Sequence, residues 1–167
     1  MFVDTGILDA RIPPQAFRPP TPSAQTVSVF NAHRRYRLRK ARVQKYVKRV
    51  LGQRKASISI VFVDSHRCKS INRTFLGHNF VTDVISFRLE QPPGLEGEVY
   101  VNLDRAKQQA QEYNVSFANE VTRLVIHGTL HLIGYDDVKA SDAKKMKLME
   151  DANVRYWFAP SIRKKRI

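Results

Sequence analysis

The apolar residues of this chain change period part-way along it, and that change constrains the fold more than any other feature. Up to Asn102 they gather mainly in short β-branched runs of strand length: Ser57 to Val63 (SISIVFV), Thr82 to Leu89 (TDVISFRL) and Glu98 to Asn102 (EVYVN). Beyond Leu103 they recur at helical spacing, over Asp104 to Tyr113, over Phe117 to Ile133 behind a Ser116 cap, and from Ser141 to about Phe158. Strands followed by helices predict an α+β fold in which a small mixed sheet packs against several helices.

One helix precedes the strands. From Arg34 to Leu51, Tyr36, Val43, Tyr46, Val47, Val50 and Leu51 recur at helical spacing while basic residues fill the other face. After the first strand, Asp64 or Ser65 caps a second helix expected to carry Cys68, Ile71 and Phe75 inward and to stop at Gly77. The segment QPPGLEG, residues 91–97, suits a loop. No internal repeat is visible, and a chain of 167 residues with 43% hydrophobic content supplies one core. Residues 1–26 hold five of the eight prolines, which block helix and ladder alike, so they are expected to form a flexible extension. The single domain is then 27–160, followed by a basic tail at 161–167.

No apolar run reaches the ~18 residues that a membrane span needs, and the N-terminus lacks the basic-then-apolar order of a secretory signal. A cytoplasmic protein with no membrane partner is expected. The single cysteine, Cys68, has no Cys-x-x-Cys neighbour, so any metal must be held by imidazole and carboxylate. The formal charge of +14 points to a polyanionic partner, and nucleic acid is the natural one. The charge is uneven: from Ser28 to Val63 there is no acidic residue, while eleven basic residues lie between Arg34 and Lys55. A solvated helix face is the plain reading of most charge runs; the missing acids favour a polyanion-binding surface here.

The most informative stretch is HGTLHLIGYDD, His127 to Asp137. On a helix, His127 and His131 share a face and can grip one ion through their ring nitrogens. Gly134 lets the chain leave the helix and fold back, so Asp136 or Asp137 can supply a third ligand. Three protein ligands and an open position describe a hydrolytic zinc site, although two histidines at this spacing also occur as plain core or surface residues. The same His-x3-His-x2-Gly rhythm occurs in metzincin proteases, whose glutamate after the first histidine is the general base. Here that place is Gly128.

HGTLHLIGYDD resembles the signature H-G-x-L-H-L-x-G-Y-D-H of the YbeY-type rRNA maturation endoribonucleases. Ile71 to Phe87 (INRTFLGHNFVTDVISF) resembles that family's second block, and GEVYVN at Gly97 to Asn102 its Gly-Asp-Ile strand. The order matches, and the similarity covers about residues 35 to 158. The resemblance implies one bound divalent ion, usually zinc, and single-strand endoribonuclease activity in rRNA processing and ribosome quality control; rRNA and ribosomal particles are the expected partners, with no small-molecule cofactor. By position, His127 and His131 match the first two metal ligands, and Asp137 stands where the family has a third histidine. The family's arginine after the aromatic of the second block falls at Leu76.

Arg73, one helical turn before Leu76, and Arg123, four residues before His127, are therefore the candidates to meet a scissile phosphate. A solvated Arg73 and an Arg123 paired with Glu120 or Asp104 are the structural alternatives. Asp136 either orients a ligand, acts on metal-bound water, or caps the turn. Two rival functions remain at this point: a non-enzymatic RNA-binding ribosome assembly factor with a structural metal, and a metallopeptidase, which would need a base that the sequence does not offer.

Overall fold

The computed structural model describes residues 25–89 and 94–158. The basic tail at 161–167, Pro92, Pro93 and all of the expected extension except Gln25 and Thr26 lie outside these residues.

The fold is α+β. Strands β1 (Gln25–Asn31), β2 (Ala56–Val63), β3 (Val84–Arg88) and β4 (Leu95–Asn102) form a sheet of order β1-β2-β4-β3. The first two pairings in that order are parallel and β3 joins β4 antiparallel, so the sheet is mixed as expected. Strand β1 is an element that the sequence analysis did not contain. Its pattern is short, alternating Val27 and Val29, which are buried, with polar Thr26 and Ser28, and it directly follows the proline-rich segment. The strand β4 begins at Leu95, so Leu95, Glu96 and Gly97 are ladder residues and not part of the expected loop.

The helix expected from Arg34 begins only at Lys40, as α1 (Lys40–Leu51). The delay has a local cause: the Nδ1 atom of His33 accepts the backbone N–H groups of Arg35 and Tyr36, and the His33 Nε2 meets Asp104 Oδ1 at 3.0 Å. Residues 33–36 are thereby held in a turn anchored to the domain. Beyond it, Val43, Tyr46, Val47, Val50 and Leu51 are buried as predicted.

Asp64 caps α2 (Ser65–Ile71) by accepting the Arg67 N–H at 2.8 Å. The helix then widens into a π-helical turn, Asn72–Leu76, which ends at Gly77 with φ 67°. The wider turn shifts the helical register, and Phe75, expected inside, is 61% exposed and meets Phe87 edge-on. Buried Asn72 ties the following loop by donating to the Phe80 carbonyl and the Thr82 hydroxyl.

Three further helices follow among the described residues: α3 (Leu103–Glu112), α4 (Phe117–Leu132) and α5 (Ala140–Phe158). Ser116 caps α4 through the Asn119 N–H, and the helix is buried against sheet, α1, α3 and α5. Leu124, Ile126, Leu130 and Leu132 are each at most 1% exposed, and a fully buried side chain of this size contributes about 1.5–3 kcal/mol. The helix lies closest to the sheet at Gly128, where an added Cβ would collide with Val99 and crowd Val84 and Ser86. Ser86 Oγ donates to the Gly128 carbonyl at 3.1 Å, fixing that contact. Among the described residues no helix is long and apolar enough to cross a membrane.

Candidate metal centre

Helix α4 ends in a Schellman turn. The Tyr135 N–H reaches back to the Leu130 carbonyl and the Gly134 N–H to that of His131, with Gly134 at φ 99°. This conformation, which a side chain would strain, folds the chain back so that residues 135–137 return toward the last two turns of α4. Asp136 then closes a second small turn: its Oδ1 accepts the N–H groups of Asp137 at 2.7 Å and Val138 at 3.2 Å. The result aims Asp137 at the two histidines.

His127 Nε2 and His131 Nε2 face each other at 3.1 Å. The Asp137 carboxylate lies 3.8 Å from each, one oxygen toward each ring. All three ligand atoms fall within 4.8 Å of one another, the spacing of a shared ion. The opposite ring nitrogens are held by acceptors. His127 Nδ1 donates to Glu150 Oε2 at 2.9 Å, and His131 Nδ1 donates to the Tyr135 carbonyl at 3.1 Å. Because a carboxylate and a carbonyl can only accept, the ring protons sit on Nδ1 and both Nε2 lone pairs are turned inward. Two such lone pairs at 3.1 Å repel unless a cation lies between them, so the donor set fits a divalent ion. Burial lowers the pKa of His131, the neighbouring His127 lowers it further, and Asp137 opposes both. The net direction favours the neutral imidazole that a metal requires.

Glu150 is the residue that sequence analysis missed. It comes from α5, is 6% exposed, and joins His127 to Arg123, whose Nη1 lies 3.3 Å from Glu150 Oε1. Burial on its own would raise the Glu150 carboxyl, but the hydrogen bond from His127 and the Arg123 charge outweigh it and hold the pKa below the ordinary value. Arg123 itself is enclosed, donating through Nε to both Glu120 oxygens at 3.1 and 3.0 Å. Burial opposes its charge; the two glutamates more than restore it and raise its pKa. The Glu120 pairing is one of the two structural alternatives weighed for Arg123.

The remaining candidate lies elsewhere in the structure. Arg73 sits on the π-helical turn, exposed and without a hydrogen-bond or ion-pair partner among the described residues. It does not line the cavity of about 480 Å³ that opens beside His127, Asp137 and Arg123. The structure thus joins His127, His131, Asp137, Asp136 and Arg123 in one neighbourhood and leaves Arg73 outside that cavity.

Residues 28–157 match the family described as Endoribonuclease YbeY. The chain belongs to this family. Among curated relatives named Endoribonuclease YbeY, that of Chlorobium phaeovibrioides is 35% identical over 133 residues, covering 78% of this chain and 89% of the relative. That of Salinibacter ruber is 41% identical over 103 residues, covering 56% of this chain and 66% of the relative. A Thermotoga maritima protein solved in solution superposes with a TM-score of 0.55 at 25% identity, covering 78% of this chain and 87% of that one.

Within the YbeY frame, two positions acquire a physical account. Leu76, where the resemblance implied an arginine, is half-buried and packs with Val63, Cys68, Ile85 and Phe87, so this chain uses the position for packing. Gly128, where a metzincin has its base, points into the sheet, and no carboxylate fits there.

Proposed function

We propose that this chain is a metal-dependent, single-strand-specific endoribonuclease that acts on rRNA and ribosomal particles during rRNA maturation and ribosome quality control, in the cytoplasm, with zinc as its ion. The observation that carries the reading is the donor set: two inward-turned Nε2 atoms and one carboxylate, with both Nδ1 atoms already engaged by Glu150 and Tyr135. Since Glu150 is spent on the ring of His127, three protein ligands remain, as a hydrolytic site requires. When bound, a divalent ion supplies Lewis acidity toward a phosphoryl oxygen and toward water.

The chain's own residues do the rest. Glu150 keeps the His127 proton on Nδ1, and Arg123 keeps Glu150 ionised, so Arg123 acts as a positioning residue through these two. Asp136 positions Asp137 through its turn. Arg73, exposed and without a hydrogen-bond or ion-pair partner among the described residues, can neutralise phosphate charge, and the acid-free face of α1 offers further cations to the RNA backbone. A peptidase is disfavoured because position 128 cannot hold a base.

The test is cleavage of single-stranded rRNA fragments by metal-loaded protein, set beside an EDTA-treated sample and a His131→Ala variant. Loss of cleavage in both controls is the expected result. Intact RNA in all three, with RNA binding retained, would instead mean a binding factor with a structural metal.

A further inference from the structure

The cavity beside the metal ligands extends well beyond them. At one end it is bounded by His127 and Asp137 and at the other by the connection between α3 and α4, where Tyr113 and Val115 line it. Its volume of about 480 Å³ falls within the range of pockets that enclose small organic groups, roughly 300–1,000 Å³. Buried Met146 supplies an apolar wall. Tyr113 and Val115 are held outward by backbone: Asn114 adopts φ 52°, and the N–H groups of Asn114 and Val115 bond back to the carbonyls of Gln111 and Ala110. Tyr113 is 49% exposed and Val115 37%, so neither packs fully into the core.

Two properties select what this space accepts. Its charged lining has two cations, Arg123 and Lys147, against the four carboxylates Glu120, Asp137, Glu150 and Asp151, and Arg123 is already enclosed by two of them. The proposed ion would offset Asp137, and Lys147 meets Asp151 at 3.7 Å, so a phosphate finds no unpaired cation in this lining, whereas a neutral group needs none. Asn119 also lines the cavity, and its side-chain amide makes no hydrogen bond among the described residues, leaving two donors and an acceptor. A flat neutral group with hydrogen-bonding edges, attached to a phosphate that stays outside near the metal, satisfies both properties.

We infer that this cavity is a subsite for one unpaired nucleobase of the RNA substrate, stacked on Tyr113 and read along its edge by Asn119. The inference rests on the nuclease reading above and adds to it the part of the substrate that selects the cut. It also gives a reason for a single-strand requirement: a paired, stacked base cannot enter the cavity while its phosphate reaches the metal ligands.

The test uses the full metal-loaded chain and a five-nucleotide RNA with 2-aminopurine at its centre, with binding read by stopped-flow fluorescence before turnover. Entry of the base is expected to quench the probe, Tyr113→Ala to weaken binding about tenfold, and Tyr113→Phe to restore it. Asn119→Ala should weaken binding less. An abasic sugar in place of the probe base, its binding read by competition against the 2-aminopurine strand, should cost the wild type about the same factor and cost Tyr113→Ala almost nothing, which a merely structural role for Tyr113 would not produce. If Tyr113→Ala binds and quenches like the wild type, or loses as much as the wild type on the abasic strand, the subsite is overturned even though the wild type cleaves RNA. If the wild type cleaves no RNA but the quench and its Tyr113 dependence hold, the subsite stands and the nuclease reading fails.

Discussion

The candidate metal centre and the basic face of α1 treat charge in opposite ways. At the centre each side chain is held in place: each histidine through Nδ1, Asp137 aimed by Asp136, and Glu150 shared between His127 and Arg123. Across the basic segment, none of the eleven cations between Arg34 and Lys55 forms an ion pair with a carboxylate among the described residues. Some stack on rings instead, Arg49 over Tyr156 at 3.5 Å and Arg42 over Phe158 at 5.7 Å. The difference teaches that orientation matters at one region and charge density at the other. A pre-aimed donor set fails when one member is lost, whereas a dense cationic face loses only a share.

The sharpest way to break this contrast is to remove one ligand. His131→Ala should reduce RNA cleavage to the level of the EDTA-treated protein and lower bound metal well below one ion per chain, as elemental analysis would read. A variant that keeps both metal and activity would show that the centre is as redundant as the surface. Next in size, Glu150→Ala leaves the three candidate ligands in place but removes the acceptor that fixes the His127 tautomer. Metal affinity should drop about 10–100-fold, measured by competition with a chromophoric chelator. An unchanged affinity would mean that the ring of His127 needs no outside partner.

The basic face calls for the converse result. Lys48→Ala should weaken binding of single-stranded RNA uniformly across sequences and reduce the slope of log K against log salt by about one unit or less. Complete loss of binding from this single change would turn the face into a specific site and erase the distinction.

The smallest effect concerns the contact that anchors the start of the basic segment, His33 with Asp104. Partial burial alone would raise the Asp104 carboxyl, but the Ser65 N–H and His33 outweigh it and hold its pKa below the ordinary 3.8. A carboxyl whose folded pKa is depressed adds stability above its unfolded value and loses it as the pH falls through the folded one. Asp104→Asn should therefore lower Tm slightly at neutral pH and narrow its gap to wild type below pH 3.8. A gap that widens in acid would sink this account.

The sequence was most readable where a local rule acts alone. His127, His131, Gly134 and Asp137 lie within eleven residues, and helical spacing followed by a Schellman turn brings them together without help from elsewhere. Glu150 was not legible because its role arises across two packed helices, and nothing in the local pattern of α5 marks it among that helix's other acids. The outward turn of Phe75 came from a π-helical register shift that periodicity at 3.6 cannot express. The late start of α1 came from His33, whose partner Asp104 lies 71 residues away. The strand β1 stayed hidden because its alternation is brief and directly follows a proline-rich stretch.

The close seat of Gly128 on β3 and β4 also bears on the order in which this protein is made. The four strands of the described residues lie before residue 103, and the three candidate metal ligands lie after residue 126. As the chain leaves the ribosome from its N-terminus, the sheet surface that receives α4 is complete before His127 emerges. A chain that stalls before Tyr135 carries the whole sheet and both histidines, but it lacks the carboxylate ligand and the carbonyl that orients His131. On the proposed reading, an ion can be captured by His127, His131 and Asp137 together only once synthesis has passed Asp137.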